Sequence, residues 1–196
     1  MHQYQYLIIG GGMTGDAAAR GIRQLDANGT IGMISAEADL PYNRPPLSKG
    51  LWKGKPIARI WRKTDTLGVD IHLKRTVESI DLETSTVVDA DGEVYQYGKL
   101  LLATGAAPRR FPFGGDDIIY FRTLEDYHRL RELSETKQRF AVIGGGFIGS
   151  EIAAALNMVG KDVIMIFVAA GVIRGMRRCF STSITGNMES NCTPTQ

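Results

Sequence analysis

Cysteine is nearly missing from this chain of 196 residues: Cys179 and Cys192 are the only two, and both lie close to the carboxyl end. Two late thiols argue against a disulfide framework and against a four-ligand zinc site, so free thiols and no metal are expected. An excess of charge of one sign is missing too. The formal net charge is +2, and the basic residues are scattered apart from short pairs such as Arg109-Arg110 and Arg177-Arg178, which read as solvated surface. Without a basic patch, no nucleic-acid partner is expected. No apolar run approaches the roughly 20 residues of a membrane span, and the start MHQYQYLIIGG has neither a basic region nor a cleavage site. A cytoplasmic protein with no membrane partner is the expectation. What remains, 43% hydrophobic and 22% charged, is globular in composition and long enough for one large domain or two small ones.

What is present is a unit that occurs twice. Residues 4–9 form a short apolar run broken by glycines, 13–25 read as an alanine-rich helix, and 30–35 as a second strand. A strand, turn, helix and strand of this length suit a right-handed parallel crossover, hence an α/β fold. Pro41, Pro45 and Pro46 bar residues 39–50 from a central strand, so a loop feeding a short helix near 47–52 is predicted. Strands follow over 69–73, 76–80, 85–89 and 93–97, with Asp91-Gly92 as a hairpin turn. Residues 99–103 read as a buried parallel strand opening at Thr104-Gly105 into a ligand crevice, and 108–115 as a connection. The unit then recurs: a helix over 124–135, a strand over 140–143, a helix over 147–159 and a strand over 162–167. Residues 174–196, rich in Ser, Thr and Asn, show no periodicity.

Gly10, Gly12 and Gly15 satisfy G-x-G-x-x-G between a strand and a helix, the context in which helix N-terminal amides meet a pyrophosphate. The first glycine allows the tight turn, the second admits the pyrophosphate, and the third lets helix and sheet pack closely. The motif also requires an acid at the end of the next strand for the ribose hydroxyls, and Glu37 lies 22 positions after Gly15. Gly144, Gly146 and Gly149 repeat the spacing. Phe147 and Ile148 would cover the pyrophosphate or pack on the sheet. Here the strand-end acid is absent: the sequence runs IMIFVAAGVIRG, with no acidic residue before Glu189 and Arg174 as its first basic one.

With LPYNRPPLSKGLW at 40–52, LLLATGAAPR at 100–109 and YFRTLEDYHRL at 120–130, residues 4 to about 167 closely resemble one family. It is the FAD-dependent pyridine nucleotide oxidoreductases of the ferredoxin reductase and apoptosis-inducing factor type. The resemblance implies Rossmann-like, doubly wound parallel sheets that bind FAD and NAD(P)H. Its domains would be an FAD-binding part over 1–114, the first βαβ unit of an NAD(P)H domain over 115–170, and an irregular tail over 171–196. It places FAD pyrophosphate on Gly10, Gly12, Thr14 and Gly15, and the adenosine ribose on Glu37. Arg44 would face adenosine and phosphate, and Lys49 would act catalytically beside the flavin ring, where a cation stabilises negative charge developing on reduction. Val77 matches a backbone contact to adenine, Ala103, Thr104 and Gly105 the crossover near the cofactor, and Arg122 an arginine on the flavin side. Glu151 fits a position near the nicotinamide, or a favourable helix N-terminal charge. Disulfide reductases of this superfamily carry a C-x4-C pair after the first turn; its absence here excludes a thiol relay. The resemblance implies electron flow from NAD(P)H through FAD to a ferredoxin-like iron–sulfur protein.

Relatives continue past this point with further strands, a Gly-Asp segment for the flavin and an interface domain. The chain is therefore expected to be an impaired form with two incomplete domains, either a truncated product or an out-of-frame end of a longer reductase, with self-association through exposed sheet edges. The alternative is an inactive nucleotide-binding or interaction remnant.

Overall fold

The computed structural model describes residues 1–167. The tail expected over 171–196, with Arg174, Cys179 and Cys192, lies outside the described residues. The chain divides into two compact units, Met1–Leu130 and Arg131–Gln196.

The first unit holds β1 (His2–Ile9), α1 (Met13–Leu25), β2 (Ile31–Ser35), β3 (Val69–Leu73), β4 (Val77–Asp81), β5 (Thr86–Asp89) and β6 (Val94–Leu102). They form one sheet in the order β3-β2-β1-β6-β5-β4. The first four strands of that order are mutually parallel, whereas β5 and β4 run antiparallel to their neighbours. This is the α/β fold read from the sequence. The run Tyr6–Ile9 is continuously apolar because both of its faces are covered. Ile8 packs with Ala19 of α1 and with Ile31, Met33 and Val69, while Leu7 and Ile9 turn the other way onto Ile34, Val87 and Tyr95.

Three sequence expectations differ from the structure. The strands expected over 93–97 and 99–103 are one strand, β6, running through Gly98; its first half pairs with β5 and its whole length with β1. Its carboxyl half is not buried, since Leu101 is 39% and Leu102 60% exposed. Among the described residues, the core cluster under α1 takes in residues of β1, β2 and β3 and, just past β6, Ala103, but neither Leu101 nor Leu102. The proline segment forms 3₁₀ turns at Pro45–Ser48 and Leu51–Lys53 in place of a single helix. It buries Tyr42, Leu47, Leu51 and Trp52, with Trp52 Nε1 donating to Leu47 O at 2.8 Å.

What holds that segment against α1 is Asp16, a carboxylate in the first turn of the helix with no solvent exposure. Arg20 donates to it at 3.0 and 3.1 Å, Arg62 at 2.5 Å and the Thr64 hydroxyl at 2.7 Å. Burial pushes the carboxyl pKa up, but the bonds from Arg20, Thr64 and Arg62 outweigh it and leave the pKa below its ordinary value. Arg62 also donates to Asn43 Oδ1 at 2.6 Å, so one side chain bridges helix and loop. At the other end of α1, Arg23 donates to Leu67 O, Gly29 O and Gly68 O at 2.7, 2.6 and 2.9 Å, fixing the approach to β3.

The second unit contains β7 (Arg139–Ile143), α3 (Phe147–Met158) and β8 (Asp162–Ile166), and α2 (Leu124–Thr136) runs into it from the first. β7 and β8 pair in parallel, and α3 buries Ile152, Ala153, Ala155 and Leu156. The alternate residues Ile143, Ile164 and Ile166 remain exposed.

Replacing Asp16 with Ala strips partners from two arginines and should cost about 3 kcal/mol in denaturant unfolding. Because the folded pKa is depressed, the stabilisation is complete above the unfolded value near 3.8 and is lost as pH falls through the folded one. Asp16→Asn should accordingly show a shallower loss of stability in acid than the parent, followed by circular dichroism.

Candidate functional site

The turn between β1 and α1 shows why each glycine stands where it does. Gly10 has φ +122° and donates its N–H to Ile34 O at 2.8 Å; a Cβ on it would lie 2.2 Å from Ala103 O. A Cβ on Gly15 would lie 2.1 Å from Gly10 O. These two are demanded by the protein's own backbone. Gly12, which precedes the first residue of α1, is different: a Cβ there would meet only the Arg44 guanidinium, at 3.9 Å. No capping side chain occupies the helix start, so its amides face open ground suited to an anion. Gly11, which sequence reasoning passed over, is also constrained, because a Cβ would come within 2.5 Å of Ser35 Oγ.

The turn between β7 and α3 repeats this template. Gly144 has φ +119° and donates to Ile166 O at 2.8 Å, and a Cβ on Gly149 would lie 2.1 Å from Gly144 O. A Cβ on Gly146 would meet nothing within 4 Å. Phe147 is 85% and Ile148 49% exposed, so Phe147 does not pack on the β7-β8 sheet. Gly145 lies against the Phe167 ring as Gly11 lies against Ser35. Two positions beyond Ser35 stands Glu37; two beyond Phe167 the sequence has Ala169.

In the first unit the carboxyl ends of β1, β2 and β6, together with β4, enclose a cavity of about 630 Å³ lined by Gly10, Glu37, Arg44, Arg75, Val77 and Thr104, among others. Its size suits a small-molecule or cofactor site. Glu37, at the end of β2, is held from two sides: the Tyr42 hydroxyl donates to Oε2 at 2.6 Å, and the Arg44 guanidinium pairs with Oε1. Arg44 reaches further, donating to Arg122 O at 3.1 Å. Burial and the adjacent Glu37 carboxylate raise the Tyr42 pKa, which keeps the phenol a donor. Its oxygen also accepts the Leu124 N–H at 2.9 Å, while Asp126 and Thr123 cap α2 reciprocally at 2.7 and 3.2 Å. Tyr42 is thus the hub joining loop, strand end and helix start, a role that the LPYNRPPLSKGLW motif containing it does not announce.

The other expected residues fall at varied distances from this cavity. Ala103 donates its N–H to Ile9 O at 2.7 Å, and Gly105, with φ +73°, approaches the Arg122 guanidinium; neither lines the cavity. Thr14 is exposed in the first turn of α1. Lys49 is exposed at the end of a 3₁₀ turn, outside the cavity lining. Two residues not foreseen, Arg75 and Ser35, do line it. Arg75 is anchored by Asp91 at 2.6 Å and by Asp89 at 3.3 Å.

A parallel sheet with a glycine turn, an open helix start and a strand-end carboxylate over one cavity defines a dinucleotide-binding α/β protein. Comparison with known proteins narrows the class: residues 4–192 match the pyridine nucleotide-disulphide oxidoreductase family, and the chain belongs to it. FAD and NAD(P)H are the cofactors of that family. The chain is 36% identical over 174 residues to the 5,5'-dehydrodivanillate O-demethylase ferredoxin reductase subunit of Sphingobium, covering 85% of this chain and 42% of that one. It is also 36% identical over 175 residues to the rubredoxin-NAD(+) reductase of Pseudomonas putida, covering 85% and 46%. Among solved structures, the covalent putidaredoxin reductase–putidaredoxin complex superposes with a TM-score of 0.80 at 29% identity, over 89% of this chain and 44% of that one. The chain thus spans less than half the length of these relatives. No helix among the described residues is long and apolar enough to cross a membrane.

The glycine geometry predicts a split that thermal melts can read. Gly15→Ala and Gly149→Ala, which force a Cβ onto a carbonyl, should each cost about 3 kcal/mol. Gly12→Ala and Gly146→Ala should fold within about 1 kcal/mol of the parent.

Proposed function

We propose that the first unit binds FAD and the turn between β7 and α3 begins an NAD(P)H site, in a reductase that passes electrons from NAD(P)H to a ferredoxin-like iron–sulfur protein. The observation that carries this reading is the convergence of Gly10, Glu37, Arg44, Val77 and Thr104 on one cavity beside an open helix start. FAD, when bound, supplies the exchange between two-electron and one-electron chemistry that such a transfer requires. The chain's own residues have separate tasks. The amides at Gly12 and the first turn of α1 seat the pyrophosphate, Glu37 accepts from the adenosine ribose, and Arg44 holds Glu37 in place while offering charge to the phosphates. The backbone of Val77 meets adenine, and Lys49 supplies a cation toward the flavin ring. No cysteine precedes Cys179, so a dithiol near the first turn plays no part.

The second turn is weaker in one respect. It shares the glycine template, yet two positions beyond Phe167 the sequence has Ala169, whereas two beyond Ser35 it has Glu37, the acid that the motif requires for a ribose. We infer impaired pyridine nucleotide binding. This favours, as a second reading, a module that holds FAD without being reduced by either nucleotide.

Reconstitution of the full chain with FAD tests both. Saturable flavin binding that weakens about tenfold or more in Gly12→Ala and Glu37→Gln, while both variants keep the parental melting behaviour without FAD, is the expected result. Flavin binding that is unchanged in both variants sinks the assignment of the cavity. Reduction of bound flavin by NADH or NADPH, followed at its absorption maximum, separates the reductase from the inactive module. Ferricyanide or ferredoxin reduction at a rate typical of an intact reductase overturns the inferred impairment.

A further inference from the structure

On the sheet face turned away from α1, three side chains with metal-binding atoms come together: His2 at the start of β1, and Asp70 and His72 on β3, although β2 runs between their strands. Gly32 on β2 makes this approach feasible, because a Cβ there would lie 2.4 Å from the Tyr4 ring. Tyr4 therefore lies across β2, its hydroxyl bonded to Asp70 Oδ2 and 2.7 Å from His72 Nε2. One donor atom from each of His2, Asp70 and His72 lies within 4.8 Å of the other two. Both imidazoles are oriented by a single ring: His2 stacks on Tyr95 at 5.0 Å and 16°, and His72 meets it edge-on at 5.0 Å and 73°. Tyr95 is itself fixed, since its hydroxyl donates to the buried Asp89 at 2.9 Å. Ligand orientation through a ring of outer contacts is what distinguishes a built metal site from surface histidines that happen to be near each other.

We propose that His2, Asp70 and His72 form a binding site for a divalent transition metal ion of the zinc type. Two imidazole nitrogens and one carboxylate oxygen suit zinc, leaving a fourth position for water or for Glu93, whose Oε2 is 3.7 Å from His2 Nε2. Bonds of about 2.0–2.2 Å require donors roughly 3.4 Å apart in a tetrahedron, so the widest separation, up to 4.8 Å, must close by about 1.4 Å. His2, 39% exposed, can make that movement by side-chain rotation, with the Tyr4 hydroxyl ceding its contact to His72. Occupancy would staple the start of β1 to β3, the edge strand of the sheet, and stabilise the folded chain by linkage. The absence of a four-cysteine set does not bear on a site made of two histidines and an aspartate. None of the three lines the nucleotide cavity, so the proposal stands apart from the flavin reading.

The test uses the full untagged chain, stripped of metal, titrated with Zn²⁺ by calorimetry and followed in thermal melts, with Co²⁺ as a spectroscopic probe. His2→Gln and Asp70→Asn alter exposed or half-exposed side chains, and His128→Gln, the third histidine of the chain, serves as control. One Zn²⁺ per chain, a raised Tm, and Co²⁺ ligand-field bands without thiolate charge transfer are expected. Each of the two site variants should weaken binding by about tenfold or more, and His128→Gln should not. No saturable binding, unchanged binding in both site variants, or a thiolate band pointing to Cys179 and Cys192 would overturn the proposal.

Discussion

The buried carboxylate of Asp16 is the constraint on which the cavity at the strand ends depends. A charge with no solvent exposure must be surrounded by donors, and its donors come from α1 itself and from the far end of the proline segment. Through Arg62 the restraint passes to Asn43, whose N–H donates to Ile60 O at 2.8 Å, while the Arg62 N–H donates to Pro41 O at 2.9 Å. Those two backbone bonds bracket Tyr42, and Tyr42 in turn holds Glu37 and the start of α2. A segment too rich in proline to join a sheet is thereby fixed over the carboxyl ends of β1 and β2. The glycine turn leaves the start of α1 without a capping side chain; the clamp decides what faces it.

The two glycine turns separate what backbone geometry requires from what a ligand requires. Gly10 and Gly15, like Gly144 and Gly149, are needed whether or not anything binds, because a Cβ would strike a carbonyl about 2.1–2.2 Å away or force a residue into positive φ. Gly12 and Gly146 meet no such obstacle. Their lack of a side chain makes sense only in relation to space outside the chain. A full glycine triplet is therefore evidence of a strand-turn-helix architecture first. Evidence for a ligand comes from its middle member together with the residue at the end of the following strand.

Much of the architecture was legible in the sequence for the same reason. β1, α1, β2, β7, α3 and β8 could be read because apolar runs and glycines follow from local backbone demands that the sequence displays directly. Glu37 could be read because its spacing from Gly15 is set by the crossover. The roles of Tyr42, Gly11 and Arg75 could not, since they are set by contacts between segments 14 to 82 residues apart: Tyr42 with Leu124, Gly11 with Ser35, and Arg75 with Asp89. Exposure of Leu101 and Leu102 was misread for a related reason. A run of leucines announces burial, but what covers a strand is decided by the elements that pack on it, and α1 packs elsewhere.

Glu37 illustrates how such long-range contacts prepare a site. A strand-end carboxylate left to itself would sample rotamers and be solvated on all sides, and any ligand would have to order it on binding. Here Tyr42 takes one oxygen and Arg44 the other, in opposite directions along the loop. An ionised carboxylate offers about four lone-pair sites, so each oxygen retains acceptor capacity for a hydroxyl after these bonds are made. The ordering cost is thus met on folding, by Tyr42 and by an arginine that also reaches the Arg122 carbonyl. The arrangement carries its own restriction. With Arg44 committed to Glu37, part of its charge is already offset by the carboxylate before any ligand arrives.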